Sequence, residues 1–285
     1  MTRFAFSLIA ITLFLTSFSF CNAQDLQVVV NPSIAWQGKV LSVKLVSAEG
    51  VAGVKARFLN QDFKLFRTSD DYHGVVGVPL NQKPGYYNLK LIITRADGKT
   101  QNLTKQLKVW ATRFSFSKFW LKPSKNKLRR RSLINEEWAQ IEKVLRIEED
   151  NQFWLGKFAK PVKGKISQGF GHKQIINGRG AGSHRGTDFA VLNGTKVFAP
   201  NYGKVVFAKK LSAFGGTMVL DHGQGIHTLY FHLSKLIAPI GKVVTRGELI
   251  ALSGNSGISS GPHLHWGMSV HNLRVDAMQW VKHEI

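Results

Sequence analysis

Cysteine is almost absent from this chain: Cys21 is the only one in 285 residues. A disulfide within the chain, a thiolate zinc site and a cysteine nucleophile in the folded part are therefore excluded. Acidic residues are scarce too, with 17 Asp and Glu against 39 Lys and Arg and a net charge of +22. An excess of that size points to an anionic partner. Beyond residues 4–20 no stretch is long and apolar enough to cross a bilayer as a helix. That one apolar stretch follows Arg3 and leads into Cys21-Asn22-Ala23, the layout of a secretory signal over residues 1–23 cleaved before Gln24. Cleavage there removes the only thiol. A retained membrane anchor is the alternative; a lipoprotein is disfavoured by the bulk of Phe20 before Cys21. The expectation is an exported protein of the periplasm or cell envelope, held together by its core alone.

Hydrophobic residues make up 44% of the chain, enough for ordinary globular cores, and the length accommodates two domains. Residues 24–111 read as β structure. Leu41, Val43 and Leu45 alternate with Ser42 and Lys44. Tyr87, Leu89, Leu91 and Ile93 alternate up to Asp97-Gly98, a hairpin signal, after which Leu103, Leu107 and Val109 resume. Several short strands over this length predict an immunoglobulin-like β-sandwich without a catalytic constellation, suited to binding, spacing or inhibition.

Residues 112–152 read as a basic linker and a connector helix. From 105 to 131 the chain carries Lys105, Lys108, Arg113, Lys118, Lys122, Lys125, Lys127, Arg129, Arg130 and Arg131 with no acid, interleaved with Phe114, Phe116, Phe119 and Trp120. Basic residues with aromatics suit nucleic acid. The secretory signal argues against that partner and favours an anionic envelope polymer or a lipid surface; a solvated linker with a few buried aromatics is the plainer reading. Helical spacing of Ile134, Trp138, Ile141 and Leu145, with Glu136 and Glu137 in the first turns, predicts a helix over 132–150. From 153 onward short β runs such as Thr217-Met218-Val219-Leu220 alternate with glycine turns. No helix interrupts them, so a mostly antiparallel sheet with a site in a groove on one face is expected.

The chemistry-bearing residues fall in this last region. Ser183-His184-Arg185-Gly186-Thr187-Asp188 places a His and an Asp four positions apart, and Gly261-Pro262-His263-Leu264-His265 places two His on one face of a strand. Three mixed N/O donors plus a spare imidazole is the composition of a catalytic zinc site, in which three protein ligands leave one position for water. Four residues of straight strand span roughly 13 Å, too far for two ligands with bonds of about 2 Å. The chain must bend between His184 and Asp188, and Gly186 is the residue expected to allow it. Either His263 or His265 suits as a ligand; both together close the site. No Glu of the HExxH kind stands beside these motifs, which leaves the base role to histidine.

His184-Arg185-Gly186-Thr187-Asp188-Phe189-Ala190, Tyr230-Phe231-His232-Leu233 and Gly261-Pro262-His263-Leu264-His265 together resemble the M23 family of zinc metallopeptidases, the lysostaphin-type peptidoglycan endopeptidases. Flanking phrases agree in order: Pro161-Val162-Lys163-Gly164, Phe170-Gly171, Ala199-Pro200, Leu220-Asp221-His222-Gly223 and Ser253-Gly254-Asn255-Ser256-Gly257. The likeness covers about residues 153–280, within a domain read as 153–285.

The resemblance implies that His184, Asp188 and His265 bind Zn2+, that His232 and His263 stand beside the metal as catalytic non-ligands, and that the substrate is bacterial peptidoglycan. It implies hydrolysis of a peptide cross-link, and the D-alanyl to diamino acid bond is favoured over a glycine bridge. His172 and Trp266-Gly267-Met268 depart from the family pattern; neither is a ligand position, and both bear on substrate preference. A non-catalytic M23-like regulator that activates another wall hydrolase is the alternative, and such a protein typically lacks metal ligands that are all present here. The chain is read as a monomer.

Overall fold

The computed structural model describes residues 26–285, so the segment read as a signal, 1–23, lies outside the described residues. Eight strands come first: β1 (Gln27–Asn31), β2 (Ala35–Trp36), β3 (Val40–Val46), β4 (Val51–Phe58), β5 (Gln61–Thr68), β6 (Asp71–Gly77), β7 (Gly85–Arg95) and β8 (Thr100–Trp110). They bond in the order β1-β3-β6-β5-β4-β7-β8-β2. β5 belongs to both layers, and β2 runs parallel to β8 while its neighbours are antiparallel. The expected β domain is present over this stretch. The predicted alternation is visible in β3 and β7, whose Leu41, Val43, Leu45, Leu89, Leu91 and Ile93 all point into one core.

The basic stretch is not a free linker. Phe116–Phe119 forms β9, which lies parallel to a strand of the following region, and Phe114 packs on Gly171 so closely that a Cβ there would stand 2.1 Å from its ring. A short helix α1 (Pro123–Asn126) precedes the connector helix α2 (Arg131–Leu145). Ile141 and Leu145, the predicted stripe, are fully buried against Phe207, Val219, Leu229 and Phe231. Burying each stabilises by about 1.5–3 kcal/mol. The helix ends five residues before the expected position. Beyond it Glu148 accepts from His271 at 2.6 Å and Asp150 from Lys64 at 2.5 Å, so side-chain ion pairs to other elements set the path there.

The remaining strands are β10 (Lys165–Gln168), β11 (Lys173–Ile176), β12 (Arg179–Ser183), β13 (Thr187–Ala190), β14 (Lys196–Phe198), β15 (Gly203–Lys210), β16 (Gly216–Asp221), β17 (Ile226–Leu233), β18 (Lys235–Leu236), β19 (Val243–Val244), β20 (Leu249–Leu252), β21 (Leu264–Val270) and β22 (Leu273–Val275). The main sheet runs β10-β13-β21-β17-β16-β15-β19, antiparallel throughout, with β22 on β21. β11 and β12 form a separate hairpin, extended by β9. Every residue of β16, β17 and β21 is buried, because α2 covers one face of the sheet and the main core covers the other. One short helix departs from the all-strand expectation: α3 (Ala277–Lys282), whose first turn is capped by the Asp276 carboxylate accepting from the Met278 N–H at 2.9 Å.

The sandwich is fastened to this sheet through α3. Gln279 accepts from the Val40 N–H at 2.8 Å and donates to the Val40 carbonyl at 2.9 Å, pairing like a strand neighbour. Lys39 pairs with Asp276. Val40 and Val75 are buried in the same core cluster as Val275 and Trp280.

Candidate metal centre

Sheet register brings the first two donors together. Asp188 on β13 lies directly opposite His265 on β21, an antiparallel pairing in which side chains on one face are about 5 Å apart at Cβ. His184 stands just before β13, where the chain bends back. Its backbone is clamped by two bonds, N–H to the His172 carbonyl at 2.8 Å and carbonyl from the Gly171 N–H at 2.9 Å. Its ring Nδ1 donates to the Gly169 carbonyl at 2.9 Å, which leaves Nε2 as the free lone pair.

Three atoms then form a near-equilateral triangle: His184 Nε2 to His265 Nδ1 2.9 Å, His265 Nδ1 to Asp188 Oδ1 2.9 Å, and His184 Nε2 to Asp188 Oδ1 3.0 Å. Ligands about 2.0–2.1 Å from a tetrahedral zinc stand roughly 3.3 Å apart. The triangle is therefore the right size for three ligands of one ion, and all three residues are buried. Burial alone would raise the Asp188 carboxyl; hydrogen bonding with His184 and His265 overrides it and holds the group well below the usual carboxylate range. Burial pushes the His265 imidazole down to about 4, which keeps it neutral and able to ligate at physiological pH.

Gly186 has a different role from the expected one. Its φ is not in the left-handed region, so the bend does not require glycine. Space does: a Cβ at Gly186 would lie 2.5 Å from His265 Nε2 and 2.7 Å from the Trp266 carbonyl. The glycine lets the loop close over the His265 ring.

The two other sequence-predicted histidines line the same cavity. His232 sits near the end of β17 with φ +62°, a left-handed conformation unusual for a residue with a side chain. Pairing of β17 with β16 is irregular just before it, and such a bulge re-aims the ring. The strained backbone is held by its N–H to the Phe214 carbonyl at 3.0 Å, and the ring is oriented by Nδ1 donating to the Ser256 carbonyl at 2.8 Å. Burial, then the neighbouring His263 and His265, keep its pKa well below the usual histidine value. His263 is not in the donor triangle. Its Nε2 is 3.9 Å from Asp188 Oδ1, while its Nδ1 donates to the Gly261 carbonyl at 2.8 Å. The rings of His232 and His263 lie 4.8 Å apart. The choice left open between His263 and His265 thus falls on His265 as the third converging donor.

The cavity over this floor is about 950 Å³. Phe119, Ile134 and Trp138 form one wall, so β9 and α2 are part of the groove. One residue that supports the site and one that lines it were not singled out by sequence. Glu137, 5% exposed, accepts the backbone N–H groups of Ser212, Ala213 and Phe214 at 2.6, 2.9 and 3.3 Å. It lies three residues after Ile134 and four before Ile141, and an acid on the apolar stripe of a helix was the available signal. Arg274 lines the cavity from β22 and had no local signal.

Comparison with known proteins places the sheet region among the M23 peptidases. Residues 182–277 match Peptidase family M23. A peptidoglycan DD-endopeptidase of Vibrio cholerae, ShyB, is 39% identical over 117 residues, covering 40% of this chain and 27% of that protein. Lysostaphin of Staphylococcus simulans is 34% identical over 122 residues, covering 42% and 23%. The chain thus spans about a quarter of the length of these curated relatives. A crystal structure of an M23 peptidase from Pseudomonas aeruginosa superposes with a TM-score of 0.65 at 28% identity, covering 88% of this chain and 95% of that one. The likeness therefore extends through the sandwich and connector as well as the sheet. Among the described residues no helix is long and apolar enough to cross a membrane.

Proposed function

Since this chain carries a Peptidase family M23 domain over residues 182–277, we propose that it is a zinc metalloendopeptidase that hydrolyses peptide cross-links of bacterial peptidoglycan, at the D-alanyl to diamino acid bond. The observation that carries this reading is the convergence of His184 Nε2, Asp188 Oδ1 and His265 Nδ1 within about 3 Å of one another, beside two further imidazoles on the floor of an open cavity. His184, Asp188 and His265 would hold the metal. Zinc, when bound, would supply a Lewis acid for the scissile carbonyl and lower the pKa of a bound water.

His232 and His263 do the proton work. Each ring donates through Nδ1 to a backbone carbonyl, Ser256 for His232 and Gly261 for His263, so each presents a basic Nε2 for proton transfer. The depressed pKa of His232 keeps it unprotonated at neutral pH and suited to accept a proton from the attacking water. His263, whose Nε2 lies 3.9 Å from Asp188 Oδ1, can donate toward the developing oxyanion or leaving amine once that Nε2 has taken up a proton. Peptidoglycan lies outside the cytoplasm, so this function needs export to the periplasm or cell envelope. A regulator of the non-catalytic kind has no need of a complete donor triangle and both extra histidines. Digestion of purified cell-wall sacculi by the zinc-loaded chain, abolished by chelation and restored by zinc, is the test.

A further inference from the structure

Arg274 is a buried cation without a carboxylate partner among the described residues. It is 6% exposed, and its guanidinium lies 5.6 Å over the Trp138 ring. Its Nη2 donates to the Arg185 carbonyl at 2.5 Å, while its Nε is buried with no hydrogen-bond partner. Gly267 makes the room: a Cβ there would stand 1.8 Å from Nη2. Arg185 itself has an exposed side chain, and both arginines line the cavity above the donor triangle. The pair is built on the same backbone as the metal donors, Arg185 directly after His184 and Gly267 two residues after His265.

Placing a guanidinium out of water near a second arginine costs free energy that the Trp138 ring and one carbonyl offset only in part, and no carboxylate among the described residues completes the compensation. Burial, then the charge of Arg185, lower the Arg274 pKa to about 9. The acids that share the cavity are engaged elsewhere. Asp188 is in the donor triangle, and Glu142 accepts from Arg146 at 2.5 Å and from Asn272 at 2.9 Å. A guanidinium at a cavity wall with an unpartnered Nε–H suits the planar, two-oxygen geometry of a carboxylate.

Resting on the endopeptidase reading, we infer that Arg274 and Arg185 form a subsite that binds a free carboxylate of the peptidoglycan stem peptide next to the bond being cut. A diamino acid whose linking amine neighbours a carboxyl group supplies such an anion. The interior of a glycine bridge does not, and an amidated diamino acid has lost it. The subsite thereby selects the first class of cross-link and rejects the other two.

The test is calorimetric binding of two short stem peptides to the zinc-loaded full chain, one with the free diamino acid carboxylate and one with that group amidated. Binding requires no turnover, so the result is independent of whether the metal centre hydrolyses anything; loss of hydrolysis with retained binding counts against the endopeptidase reading alone. Wild type is expected to bind the free acid about tenfold or more tightly than the amide, the range for hydrogen bonds to a charged group. Arg274→Met should close that gap and Arg185→Gln narrow it, with zinc content unchanged. Arg185→Gln alters an exposed side chain and so reads the subsite even if Arg274→Met folds poorly. Equal or undetectable binding of both peptides by wild type, or a gap that survives in Arg185→Gln and in any folded Arg274→Met protein, overturns the inference.

Discussion

Glu137 on the connector helix accepts the backbone N–H of Ala213 at 2.9 Å, across 76 residues of chain. The same carboxylate holds the N–H groups of Ser212 and Phe214, and the Phe214 carbonyl in turn receives the N–H of His232. A helix outside the matched M23 segment therefore supports the strained backbone of a catalytic candidate. Glu137→Ala strands buried amide donors and should cost about 2–3 kcal/mol of stability. Turnover should fall while zinc content holds, and Glu137→Gln, which keeps one acceptor oxygen, should lie between. Unchanged melting temperature and turnover in Glu137→Ala would show the contact to be idle.

The donor triangle and the two flanking histidines should separate by metal content. His184→Ala and Asp188→Ala should lose both zinc and hydrolysis. His232→Ala and His263→Ala should keep zinc yet lose about 10²-fold or more of turnover, as expected for general acid–base groups. Loss of metal in His263→Ala makes it a ligand, and full activity in metal-free His184→Ala rules out the metal centre.

Acid sensitivity should trace to histidines away from the cavity. Burial lowers the pKa of His227 to about 3 and of His222 to about 4, and neither ring nitrogen of His227 has a hydrogen-bond partner. Both are neutral in the folded chain and protonate in the unfolded one below pH 6.5. Their contribution is thus intact above pH 6.5 and is lost as pH falls toward the folded values, by about 1.4 kcal/mol per unit for each group. Asp221, raised by burial to about 6, acts oppositely between 3.8 and 6. His227→Leu should flatten the loss of stability between pH 6.5 and 4, measured by urea unfolding at each pH. An unchanged slope contradicts the assignment.

The positive run before α2 carries exposed charges clear of the cavity, among them Lys122, Lys127 and Arg130. Replacing these three by Gln should reduce co-sedimentation with isolated anionic envelope at low salt, and the difference from wild type should vanish at about 1 M salt, where screening acts within about 3 Å. Cleavage of soluble peptides should be unaffected. Sedimentation insensitive to both substitution and salt removes the anchoring role.

The candidate donors were legible because their signals are local: His184 and Asp188 share one short phrase and His263 and His265 another, with only the family resemblance choosing between the last two. The strand alternation of the sandwich and the stripe of α2 were legible for the same reason. What depends on distant partners was not. Gly186 appeared as a bend residue because the His265 ring that crowds it is 79 positions away in the chain. Glu137 and Arg274 find their partners 75 and 89 residues away. The aromatic basic run looked like a linker because the parallel pairing of β9 with β11, which makes it a groove wall, leaves no short-range trace.

The central claim is hydrolysis of one kind of cross-link at this metal centre. Mass spectrometry of the muropeptides released from purified sacculi by the full chain, with and without chelator, tests it most directly. Cross-linked dimers should convert to monomers ending in D-alanine with a freed diamino acid amine, and chelation should stop the conversion. Dimers left intact by the zinc-loaded protein, or the same conversion by protein stripped of metal, would contradict it.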